Sequence, residues 1–180
     1  MRSFYLKYNK AILASLFFAG IISGIRIDKS PVSDYKNPIY SINPPPKLLF
    51  SIICNNSLLL SSILIIGTLT FGMYGAAIVF WNGLNLGVSS SKFSAVFGLS
   101  KTLAVIIPHG VLEISLIILA ASYSISYSHW LLYFFQNPAS AKAPDLLPRK
   151  EFKKIGILFL LLLFCAGIEF YITPIIFYKS

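Results

Sequence analysis

The chain has 180 residues, 56% of them hydrophobic and only 12% charged, with a net charge of +9. Soluble proteins carry about twice that charged share, and no core of a soluble protein this small needs so much apolar sequence. The composition therefore excludes an ordinary soluble enzyme and points to an all-α integral membrane protein. The basic excess argues for a lipid bilayer as partner and against nucleic acid, because many of the basic residues flank apolar stretches, where they orient the chain and meet anionic head groups.

The N-terminal segment, residues 1–24, starts basic and turns apolar. A cleaved signal peptide has that shape, but Gly24-Ile25-Arg26 offers no clear small-x-small site, so an uncleaved first helix is expected over residues 11–25. It holds Gly20 and Gly24, a GxxxG pair that admits a close helix neighbour. Residues 26–47 contain five prolines, including Pro44-Pro45-Pro46. Consecutive prolines cannot sit in a helix interior, so this is expected to be an external Pro-rich loop. Residues 48–88 form an uncharged run of 41. One straight helix of that length would reach about 60 Å, twice the ~30 Å hydrocarbon core. The run is expected to fold back between Gly67 and Gly72, and its second helix to close around Asn82-Gly83-Leu84-Asn85-Leu86-Gly87.

Residues 92–107 have Lys101 in their middle and are short for a crossing. They are expected to form an interfacial or re-entrant helix, the competing reading being a short sixth span. Pro108-His109-Gly110 is read as an interruption that starts the next helix, with residues 111–135 long enough to cross. Residues 136–154 form a basic loop, and residues 155–177 the last span. The whole is expected to be one membrane domain of about five transmembrane helices plus the re-entrant segment, with a helical core over residues 48–177. His129 and Trp130, with Tyr123, Tyr127 and Tyr133, read as an interfacial aromatic belt. Cys54 and Cys165 lie in apolar sequence without a CxxC spacing and read as packing residues.

Five crossings put the N-terminus and the basic loop on one side. That side holds Arg2, Lys7, Lys10, Lys142, Arg149, Lys150, Lys153 and Lys154, eight of the 15 basic residues. The positive-inside rule makes it cytoplasmic in the cell membrane.

Two carboxylates interrupt the apolar segments, Glu113 and Glu169. Ionisable groups in a membrane are costly and face a protein interior or a water-filled path, so both are candidate functional residues; the alternative is pairing with Lys101 or His109, or with neighbouring backbone. His109 and Glu113 share a helix face at i, i+4. Asn55, Asn56, Asn82 and Asn85 are amides that bond across helices or line a polar cavity. Glu113, Glu169 and Asn82 or Asn85 are expected to share one outward-facing cavity. Gly83 and Gly87 form a second GxxxG pair for helix packing. No HExxH pattern or other ligand set appears, so no metal, cofactor or catalytic residue is expected.

The order Asn55-Asn56, Gly67 to Gly72, Asn82-Gly83 with Gly87, Pro108-His109-Gly110-Val111-Leu112-Glu113, and Gly167-Ile168-Glu169 followed by Thr173-Pro174 resembles the stage II sporulation protein M family of multi-pass membrane proteins. The resemblance covers residues 48–174. It implies a non-catalytic membrane subunit, a scaffold or permease-like partner of other membrane proteins. A transporter or export/immunity protein for a peptide or small molecule is the alternative, and an intramembrane enzyme a third reading with less behind it. No Walker A loop is present, so any ATP hydrolysis would come from a separate subunit. A homo-oligomer is also compatible with the sequence.

Overall fold

The computed structural model describes residues 2–27, 44–136 and 149–179, and these are almost entirely helical. The helices are α1 (Arg2–Ile27), α2 (Pro46–Leu69), α3 (Met73–Phe97), α4 (Leu99–Gln136) and α5 (Arg149–Gly167), followed by a π-helical turn (Ile168–Ile172) and α6 (Thr173–Lys179). Pro46 opens α2, where a proline's missing N–H costs nothing. Most of the expected Pro-rich loop, residues 28–43, and most of the basic loop, residues 137–148, lie outside the described residues.

The fold-back of the long uncharged run falls where the sequence places it. The Gly72 N–H donates to the Gly67 carbonyl at 2.7 Å and Phe71 N–H to Thr68 at 3.4 Å, the pairing that closes a helix C-terminus. Phe71 takes the left-handed position at φ 54° and Gly72 follows at φ 85°. Thr70 then accepts from the Tyr74 N–H at 3.1 Å and so caps α3.

Three expectations are corrected further along the chain. Gly87 does not close a helix, because α3 continues to Phe97. Its real terminus is Gly98, at φ 84°, a conformation that side chains other than glycine adopt only under strain. Residues 92–107 are therefore divided: the first part completes α3, and Leu99–Pro108 opens α4. Pro108 does not start a helix either. It lies inside the 38-residue α4, where its ring removes one hydrogen bond to the carbonyl four residues back. Membrane helices tolerate that loss when packed neighbours re-satisfy the backbone.

Among the described residues, four stretches are long and apolar enough to cross a bilayer: Tyr8–Ile27, Pro46–Leu69, Gly110–Gln136 and Lys153–Tyr178. α3 is as long, with 25 residues, but is diluted by Asn82, Asn85 and serines. Its position puts it in the same layer. Gly20 of α1 meets residues 80–84 of α3 and Gly24 meets residues 84–88, so the two helices run parallel at the depth of α1's apolar span. That alignment gives about five crossings, with α4 at the centre: Leu116, Ile117, Ala120, Ala121 and Ile125 pack against Leu13, Phe17, Leu60, Ile63, Val79, Leu158 and Leu162. Cys165 joins this core and Cys54 is half-buried, both as unpaired thiols.

Candidate polar site within the membrane

Helix approach comes first, because it fixes where space remains. A Cβ at Gly20 would overlap the Phe80 carbonyl oxygen, and one at Gly24 the Leu84 carbonyl oxygen. Reciprocally, Gly83 faces the Phe17 carbonyl and Gly87 that of Ile21. The two GxxxG pairs thus interlock between α1 and α3, with Cα–H groups laid against carbonyl oxygens. Nearer the α2–α3 turn, Gly67 and Gly75 admit Ser124 of α4, and the Ser128 hydroxyl lies 2.6 Å from the Thr68 carbonyl.

Beside this seam, at the same depth, the helices part. A cavity of about 220 Å³ opens between α1, α3 and α4, lined among others by Phe17, Asn82, Asn85, Ser89, Gly110 and Glu113. The Asn82 amide N–H donates to its own helix at the Ile78 carbonyl, 2.9 Å away. On its other side, Glu113 borders a void of about 10 Å³ shared with Asn56, Leu60, Leu162 and Cys165. A void of that size has room for about one water molecule. Glu169 stands on the π-helical turn, one turn beyond Cys165, and interacts electrostatically with Glu113. Such turns are uncommon and frequently sit at functional sites. Neither carboxylate forms a hydrogen bond or ion pair with a described residue.

The structure places Asn82, Asn85 and Glu113 around one cavity and Asn56 with Glu113 at the small void. Glu169, expected to share the cavity, lines neither space, because it stands on the turn beyond α5 and no described residue of α5 or of that turn reaches the cavity wall. Asn55 is not brought to them either: that side chain is exposed on the far face of α2. His109 belongs to α4, one turn before Glu113, but its side chain lies outside the described residues. Lys101 is engaged elsewhere, its ammonium 4.5 Å from the Phe177 ring and 5.9 Å from that of Phe97. Among the described residues, no three His, Cys, Asp or Glu side chains converge.

Sequence reasoning missed Ser89, which completes the polar wall of the cavity, and a buried pair between α1 and α4. The Ser122 hydroxyl donates to the Asn9 side-chain oxygen at 3.2 Å, and the Asn9 amide reaches the Ser122 carbonyl at 3.5 Å. The available signals were a lone amide at the head of the first apolar stretch and the serines at 122, 124, 126 and 128.

The amino-acid sequence as a whole is similar to known proteins. A relative from Methanocaldococcus jannaschii, described as an uncharacterized protein, is 30% identical over 162 residues, 88% of this chain and 87% of its own. No solved structure matches the chain. The family model described as Stage II sporulation protein M matches residues 11–174, a range that takes in the interlocked glycines, both carboxylates and every helix that lines the cavity. The chain therefore belongs to the stage II sporulation protein M family.

Proposed function

We propose that this chain is a non-catalytic, permease-like subunit of a complex in the cell membrane, with its N-terminus in the cytoplasm. The observation that carries the reading is the cavity of about 220 Å³ that Glu113 lines with Asn82, Asn85 and Ser89. Carboxylates that face a polar cavity inside a membrane serve ion or proton paths and conformational coupling. The size of the space narrows the cargo. Drug-sized ligands occupy roughly 300–1,000 Å³, so this cavity suits water, protons or a small cation rather than a peptide. A subunit of this kind works with partner proteins, and ATP hydrolysis, where the complex uses it, belongs to one of them.

Affinity purification from mild detergent tests the subunit role. A stable co-purifying membrane protein or ATPase, retained in a Glu113→Gln, Glu169→Gln double variant that has lost biological activity, is the expected result. The second reading, a stand-alone transporter of a small ion, is favoured by the same cavity. It predicts ion movement into liposomes that hold this chain alone, and such flux would displace the subunit reading.

A further inference from the structure

The cavity leaves Asn55 unexplained. It is the tenth residue of α2, about 14 Å along a helix about 36 Å long, and thus at hydrocarbon depth. Its amide is exposed and bonds to no described residue. A primary amide facing lipid has no water to bond to, and such groups find partners on adjacent helices.

The residues around it share a pattern. Leu48, Ser51, Asn55, Leu58, Ser62, Ile65 and Leu69 follow one another at alternating spacings of three and four, the repeat that forms a coiled-coil seam. Most of these side chains are exposed, Leu58 at 70%, Ile65 at 63% and Leu69 at 64%. Ser62 is half-buried, accepting from the Tyr74 hydroxyl at 3.3 Å. The buried face of α2, with Leu60, Ile63 and Gly67, lies on the opposite side of the helix. Asn55 is the one amide in this seam, at an a position if Leu48 is also a.

From this juxtaposition we propose that α2 is the interface of a homodimer, in which Asn55 pairs with Asn55 of a second copy across a two-fold axis normal to the membrane. That axis keeps both copies in the same orientation, as a shared membrane topology requires, and sets the two α2 helices parallel. Equivalent a residues then face one another. The primary amide is self-complementary: each Asn55 donates one N–H and accepts one, which satisfies both without a second kind of protein. A lone a-position asparagine also selects one register, since any slip opposes the amide with leucine or serine.

The test uses the full chain in liposomes, with dimer fraction read by single-molecule photobleaching over a range of protein-to-lipid ratios. Asn55→Leu is expected to weaken dimerisation roughly five- to thirtyfold, with helix content and thermal stability unchanged, and Asn55→Gln to restore part of the loss. In a Cys54→Ser, Cys165→Ala background, Leu58→Cys should form an intermolecular disulfide, while Leu160→Cys, exposed on α5, should not. Monomers at every ratio, an Asn55→Leu chain that dimerises like the wild type, or equal cross-linking at positions 58 and 160 would each overturn the proposal. So would a monomer that loses a different membrane protein on Asn55→Leu, which would assign the amide to a hetero-partner.

Discussion

The α1–α3 seam and the cavity beside it use the same two helices, joined by α4 at the cavity, in opposite ways. At Gly20, Gly24, Gly83 and Gly87 the backbones touch and no atom could be added. At the same depth but on another face of α3, at Asn85 and Ser89, the helices stand apart and leave about 220 Å³ beside Glu113. Lipid supplies little hydrophobic drive between helices, so membrane proteins hold together through close van der Waals contact and interhelical hydrogen bonds. The glycine seam concentrates that contact in one place, and the polar space can persist in the same bundle because its walls are fixed there. One helix of the cavity wall is also irregular: Pro108 interrupts the hydrogen bonding of α4.

The largest effect is expected from filling the seam. Gly83→Leu or Gly87→Leu would drive a side chain into the Phe17 or Ile21 carbonyl, and backbone cannot yield as a flexible side chain can. The cost should be about 3 kcal/mol or more, seen as loss of monodisperse protein in mild detergent and a sharply lowered melting temperature. Wild-type thermal stability in both variants would show that the helices do not approach this closely. Gly156, by contrast, has open space around its Cβ position, and Gly156→Leu should leave the protein intact.

Next in size comes the link between α1 and α4. Asn9→Leu strands the buried Ser122 hydroxyl and removes both interhelical bonds. An unsatisfied buried polar group costs about 1–3 kcal/mol. The double variant Asn9→Leu, Ser122→Ala should recover part of the loss, because it removes the stranded group as well. Equal destabilisation in the single and double variants would show that the pair contributes packing alone.

Gly98→Ala follows, at about 1 kcal/mol, because a Cβ there meets no neighbour and the penalty comes only from φ 84°. Gly98 also shows what the sequence concealed. Gly87 and Gly98 are alike as letters: the first lies inside a helix because α1 needs to approach it, and the second ends one because the backbone turns left-handed there. Only the neighbour distinguishes them. Pro108 is the same problem reversed, a residue that ends most helices and here lies within one. Asn55 and Asn56 are adjacent, so roughly 100° of helix rotation separates them, and which amide meets Glu113 depends on where α4 packs. The fold-back at residues 67–72 was legible because glycine and threonine act there through local backbone bonds. The facing glycine pairs were legible as motifs, although their partners were not. That Glu113 would border one space with Asn82 or Asn85 was expected from the cost of placing charge in a membrane, and the cavity wall holds all three; Glu169, expected beside them, is not part of that wall, and Ser89 carried no comparable signal.

The smallest effect on stability, and the sharpest separation of the two regions, is expected at the carboxylates. Glu113→Gln and Glu169→Gln keep side-chain size and hydrogen-bonding capacity and remove only the ionisable group. Neither residue forms an ion pair or hydrogen bond with a described residue, so little fixed structure depends on its charge. Both variants should accumulate in the membrane, with melting temperatures within a few degrees of wild type, for a change of under about 1 kcal/mol. Loss of biological activity in such well-folded protein would separate a site from a scaffold, since a seam variant can lose activity only by losing the fold. Because the two groups feel one another electrostatically, neutralising one changes the field at the other. The double variant should therefore lose less than the two single losses combined. Strictly additive losses would show that the carboxylates act independently. Full activity in both single variants would show that the cavity is a packing defect beside the glycine seam, with no functional role of its own.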